Sequence, residues 1–225
     1  MRGAYADLPA LLAIMTGDEK HEVAAHSTLD VIWVLYDRVL HVTPESADDP
    51  DRDRFLLSKG HGPMAYYAVL AAKGFITTDD LARFGSFDGR LGYHPDRNLV
   101  RGVEISSGSL GHGLPMAVGL SLGLSAQGRG SVRVVCLVGD AELDEGSNWE
   151  AIALAGRLGL ERLTLVAMDN RSTSYPWPIA PRLAGEGWST TVVDGRDHDR
   201  LERAFAGGSV GRPHAVVATI GEGQG

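Results

Sequence analysis

Residues Val132 to Val138 read Val-Arg-Val-Val-Cys-Leu-Val and end in Gly139-Asp140. A run so short and so continuously apolar fits a strand covered on both faces, as in a parallel sheet with helices above and below. Glu145 to Leu158 follows with helical spacing, and Leu163 to Met168 is a second apolar run. Strand, helix and strand in that order make a crossover unit, whose strands pair in parallel. Further along, Ser189 to Val193 reads as a shorter strand, Asp197 to Ala206 as a helix and Ala215 to Ile220 as a last strand. Upstream, helical spacing covers Thr28 to Val42, and Gly62 to Lys73 reads as a helix stopped by Gly74. Gly113 to Ala126 is an apolar helix rich in small residues, suited to close packing on a sheet. The expectation is an α/β fold, a mainly parallel sheet flanked by helices, with residues 1–225 forming one domain.

Bulk properties narrow the partners. The chain has 225 residues, 44% of them hydrophobic, and a formal net charge of −8. That balance argues against nucleic acid or an anionic membrane surface as a partner. The single cysteine, Cys136, sits inside an apolar strand and reads as core, which points to a reducing compartment and a cytoplasmic protein. Met1 to Asp18 has an apolar patch, but its leucines fall on one helical face and it reads as neither signal peptide nor membrane span. The acidic stretch Glu45 to Asp51 is read as a solvated loop.

Two strand ends carry the chemistry. Gly139-Asp140 follows the first strand and Met168-Asp169-Asn170 closes the next, so Asp140 and Asn170 lie 30 residues apart. One crossover helix fits that interval, which brings both side chains to the carboxyl edge of the sheet, where open α/β sheets bind ligands. A carboxylate, an amide oxygen and a backbone carbonyl, with Ser172 the natural carbonyl donor, leave room on a six-coordinate Mg2+ for phosphate oxygens and water. Taken singly, Asp140 as a helix N-cap and Asn170 as a turn residue are the commoner roles. Together at this spacing they favour the metal.

Gly139-Asp140-Ala141-Glu142-Leu143-Asp144-Glu145-Gly146 through Asp169-Asn170 resembles the thiamine-diphosphate motif. Ser58-Lys59-Gly60-His61, Gly92-Tyr93-His94-Pro95 and Gly102-Val103-Glu104 through Gly111-His112-Gly113 narrow the resemblance to the transketolase family. The resemblance runs over roughly residues 20 to 200. It implies a thiamine-diphosphate-binding fold that transfers a two-carbon ketol unit from a ketose phosphate to an aldose. It implies thiamine diphosphate and a divalent ion as cofactors, Mg2+ or alternatively Ca2+ or Mn2+. Metal ligation would fall to Asp140, Asn170 and Ser172, and cofactor contact to His61, Gly108, Leu110, Gly139, Asp140, Ala141, Glu142 and Asn170. Catalytic roles would fall to His94, His61 and His21. A histidine can donate hydrogen bonds to alkoxides and move protons near neutral pH.

The family's activating glutamate belongs to a pyrimidine-binding domain that these residues do not contain. The resemblance therefore implies the diphosphate-binding subunit of a split enzyme, working with a partner chain that supplies this glutamate, in a heterotetramer. Glu145 matches a family glutamate that faces the partner, and an ordinary first-turn acid explains it equally well. Several positions depart from the pattern: Ala141 in place of a glycine, the loop Arg171 to Pro178 with Tyr175 and Trp177, Arg196, and the tail from Gly221 to Gly225. Two other readings are a decarboxylating or dehydrogenase-type thiamine enzyme, and a degenerate scaffold subunit.

Overall fold

The computed structural model describes residues 3–16, 19–173 and 178–221, with residues 19–25 described by backbone only. Five strands form one sheet: β1 (Arg54–Leu57), β2 (Val134–Gly139), β3 (Leu163–Asp169), β4 (Ser189–Asp194) and β5 (His214–Thr219). Their spatial order is β1-β2-β3-β5-β4 and every pairing is parallel. The expected α/β fold with a parallel sheet is therefore the observed one.

Both faces of the sheet are covered, which is why its strands read as unbroken apolar runs. Alternate residues of β2 serve the two sides. Val135 and Leu137 join a layer built on α1 (Leu8–Ile14), α2 (Glu19–Val34), α3 (Pro63–Ala72) and α8 (His198–Ala206). Val134, Cys136 and Val138 join a layer with α5 (Gly113–Ala126), α6 (Gly146–Leu158) and α7 (Ile179–Gly185). Cys136 is fully buried in that second layer, as its apolar setting implied. The short helix α4 (Thr78–Ala82) is capped at its start by Thr77, whose hydroxyl accepts the Asp80 amide while the Asp80 side chain accepts the Thr77 amide.

Three elements differ from the expectation. The helix expected over 28–42 begins earlier, at Glu19, and passes into a π-helical turn at Leu35–Val39. Neither β1 nor α7 is anticipated by periodicity. β1 is four residues long and has charged neighbours. The acidic stretch is an exposed loop, as expected, but two of its carboxylates make ion pairs: Asp48 with Arg101 at 2.6 Å and Asp51 with Arg129 at 2.8 Å. No helix among the described residues is long and apolar enough to cross a membrane.

Candidate functional site

β2 and β3 end side by side: Gly139 pairs with Met168, and the Asp140 amide donates to the Met168 carbonyl at 3.0 Å. Asp140 is 2% exposed. It opens the tight turn Ala141–Asp144 and accepts the Ala141 amide at 2.8 Å, so the capping role is real. Its other oxygen accepts the Ser172 amide at 2.8 Å, and the Ser172 hydroxyl also donates to the carboxylate. A carboxylate offers about four acceptor positions. Three bonds leave it one more to give.

Asn170 stands at the end of the neighbouring strand, and its Oδ1 is buried with no hydrogen-bond partner among the described residues. A buried amide oxygen left unpaired costs about 1–3 kcal/mol, so it requires an explanation. A divalent cation between the two strand ends supplies one: it would take an oxygen from Asp140 and the orphaned oxygen of Asn170. The donor set thus fits a hard ion. Ser172 meets Asp140 through its amide and hydroxyl, bonds that do not involve its carbonyl.

Glu142 behaves differently from the cofactor contact the sequence implied. It is 2% exposed and turned into the protein. Oε1 accepts the Gly111 amide at 3.0 Å and the Ser58 hydroxyl, Oε2 faces the Gly139 amide at 3.4 Å, and the Glu142 carbonyl accepts Asn148 Nδ2 at 2.6 Å. Burial pushes its carboxyl above the usual range, and the three donors pull it back. One carboxylate therefore ties together the ends of β1 and β2 and the loop before α5. Ser58 completes the knot by accepting the Gly113 amide at 3.1 Å, and a Cβ at Gly113 would lie 2.3 Å from the Ser58 side chain.

The quoted loops converge. A Cβ on Gly60 would lie 3.1 Å from Leu110 Cδ2, and one on Gly108 would lie 3.1 Å from the His94 ring. Gly108 has φ +126°, a backbone conformation that glycine adopts at no steric cost, and it lets the imidazole of His94 approach the main chain. The Pro95 carbonyl accepts the Ser107 amide at 3.1 Å, and Tyr67 donates to the Gly92 carbonyl at 2.9 Å, which fixes the His94 loop from both sides. His61, His94 and Leu110 are exposed, and Ala141 is half-buried. The structure thus brings His94 to Gly108, Leu110 to Gly60, and Asp140 to Ser172. His21 lies on α2, but its side chain is outside the described residues, as are Tyr175, Trp177 and the tail from Glu222. Glu145 is exposed at the start of α6 and makes no side-chain cap. Glu104 lies in a quoted segment yet pairs with Arg52 at 2.6 Å, a structural role.

Sequence reasoning gave no role to Lys59 or Arg196. Lys59 is buried, passes beside Gly139 and donates to Ser27 at 3.2 Å. Burial lowers its pKa to about 8, while Asp140 and Glu142 act in the opposite direction. Arg196 donates to the His26 carbonyl at 2.7 Å and to the buried Asp30 at 2.9 Å, and so pins α2 to the loop after β4. His198 and Tyr5 reach the other oxygen of Asp30, at 2.7 and 2.5 Å. Arg171, next to Asn170, is the one non-glycine with positive φ, +56°, among the described residues.

Comparison with known proteins agrees with this geometry. Residues 8–220 match the transketolase, thiamine diphosphate binding domain family. The chain is 54% identical over 219 residues to ferredoxin fas2 of Rhodococcoides fascians, covering 96% of this chain and 72% of that protein. An iron–sulfur cluster of the ferredoxin type takes about four cysteine ligands. These 225 residues hold one cysteine, Cys136, which is buried, and so do not supply that ligand set. Identity to one named subunit of the apulose-4-phosphate transketolase of Actinobacillus succinogenes is 35%, covering 91% of this chain and 77% of that one. Among solved structures, the transketolase of Leishmania mexicana superposes with a TM-score of 0.79 at 28% identity, over 97% of this chain but only 37% of that enzyme. The chain belongs to the transketolase family, and its residues 8–220 correspond to that family's thiamine diphosphate binding domain.

Proposed function

We propose that this chain is the diphosphate-holding subunit of a split transketolase, transferring a two-carbon ketol unit between a ketose phosphate and an aldose. Its 35% identical relative is named as one subunit of a transketolase, and the chain spans little more than a third of the full-length enzyme it superposes on. That relative's subunit name supports a partner chain, which in this reading carries the pyrimidine-binding domain and the activating glutamate. The single observation that carries the reading is the buried, unpaired Oδ1 of Asn170 at the strand end adjoining Asp140.

Asp140 and Asn170, with Ser172 beside them, would hold a divalent ion, Mg2+ in this reading, against the cofactor's diphosphate. Thiamine diphosphate, when bound, supplies the electron sink for breaking and making the carbon–carbon bond. His61, the exposed residue of the otherwise buried loop after β1, would donate to the diphosphate. Gly108 and Leu110 would offer main chain to the pyrimidine. His94, held against Gly108, would donate hydrogen bonds to the sugar hydroxyls, and His21 would join it from α2. Lys59 places a cation under the acidic edge, which reduces the repulsion between Asp140 and an incoming diphosphate.

Calorimetry on the assembled pair tests this. Asp140→Ala should abolish Mg2+-dependent binding of thiamine diphosphate. Unchanged affinity would remove the metal assignment and the reading built on it. A ketose phosphate should then serve as donor where pyruvate does not.

A further inference from the structure

At the edge of the sheet opposite Asp140, Arg133 just before β2, Arg162 and Thr164 at the start of β3, and His214, the first residue of β5, border a cavity of about 500 Å³. Its wall includes Arg38, His41, Arg133 and Arg162 together with Glu161 and Glu202. Both acids are already engaged. Glu161 accepts the Gly211 amide at 2.9 Å, and Glu202 accepts Arg38 Nη1 at 2.9 Å. Arg133 is only loosely tied: Nη1 reaches the Val39 carbonyl at 3.1 Å, and its Nε stands 3.9 Å from Asp53. The side chains of Arg162 and His41 have no hydrogen-bond or ion-pair partner among the described residues. Glu161 keeps its charge, since a neutral amide does not cancel it, but Arg38, Arg133 and Arg162 outnumber Glu161 and Glu202, so the wall is net cationic in a protein whose net charge is −8.

We infer that this cavity binds a small oxyanionic ligand, with Arg162 and Arg133 on its phosphate or carboxylate oxygens and His41 alongside. The volume lies within the range of small-molecule sites, roughly 300–1,000 Å³. Planar guanidinium groups match the geometry of an oxyanion, and the loose partner of Arg133 leaves donors to spare. The rim adds more donors: no described residue accepts the amides of Gly208, Ser209 and Val210. An acidic molecule repels anions at long range, so a local cluster of this kind is what an anion would need. The site stands at the far edge of the sheet from Asp140 and is independent of the proposed activity.

Inorganic phosphate is a suitable probe, titrated into the full chain at constant ionic strength while NMR follows the His41 imidazole. The His41 signals should move along a saturable curve. Arg162→Glu should weaken the apparent affinity at least tenfold, Arg162→Ala somewhat less, and Asp140→Ala should leave it unchanged. The inference is overturned if His41 does not respond, if chloride moves it equally, or if either Arg162 variant titrates like the wild type.

Discussion

Glu142 is the residue on which the geometry of the site most depends, and it does so by accepting rather than by touching a ligand. Three donors, Ser58 Oγ and the amides of Gly111 and Gly139, converge on its carboxylate. Glutamine offers one oxygen and a nitrogen that can only donate, so at least one donor would face another. Glu142→Gln should therefore cost about 1–3 kcal/mol, read as a lower urea midpoint at unchanged m-value. The pH dependence has a definite sign. The folded carboxyl titrates above its ordinary 4.5. Its ionisation therefore weakens the fold as pH rises from 4.5 to the higher folded value, and the glutamine variant should lack that component. His94 makes the contrasting case. Its ring rests on Gly108 and is exposed. If it serves the substrate, His94→Ala should lower kcat roughly a hundredfold or more while thiamine diphosphate affinity holds. A loss confined to cofactor affinity would contradict that role. Asp140 and Asn170 were legible in the sequence because a strand end and a crossover length are local facts. The role of Glu142 was not, because its donors come from 31 and 84 residues away.

The same division holds for whole elements. β2 and β3 could be read from composition, since burial on both faces leaves no polar position to interrupt the run. β1 could not. Its four residues follow Asp51-Arg52-Asp53, and it becomes a strand only through pairing with residues about 80 positions later. α7 escapes for a related reason: its seven residues include Pro181 and Gly185, a composition with no helical signature apart from its neighbours. His214 shows how such elements are joined. It starts β5, its Nε2 lies 3.0 Å from the Ala204 carbonyl of α8, and its Nδ1 lies 2.9 Å from Ser189 Oγ of β4. Burial holds its pKa below the ordinary 6.5. For a histidine with a depressed folded pKa, the unfolded chain binds the proton first, so stability falls as pH drops below 6.5 towards the folded value. His214→Gln keeps an amide to donate to Ala204 and cannot titrate in that range. The variant should show a smaller loss of thermal stability between pH 6.5 and 5 than the wild type, and an equal loss would remove His214 as the joint.

At the scale of the whole molecule, the layer of α5 and α6 covers one face of the sheet yet leaves apolar side chains in water. Met116 and Leu122 on α5 are 43% and 38% exposed, and Leu154 and Leu158 on α6 are 39% and 51%. Leu154 and Leu158 are one helical turn apart, so they share a stripe. α6 begins just after Asp140–Glu145, so this stripe runs away from the candidate site rather than belonging to a distant surface. A partner chain that completes the site from that side would cover it. At about 25 cal/mol per Å² of buried apolar area, burying two leucines contributes on the order of 2–3 kcal/mol, and so well over tenfold in Kd. The pair Leu154→Glu and Leu158→Glu should leave the melting temperature of the isolated chain nearly unchanged, because both side chains already face solvent. Their effect should fall on association with the proposed pyrimidine-binding chain, measured by sedimentation of the purified mixture. A double variant that assembles with wild-type affinity would move the interface away from α6, whereas one that unfolds on its own would show that the leucines serve this chain's own packing.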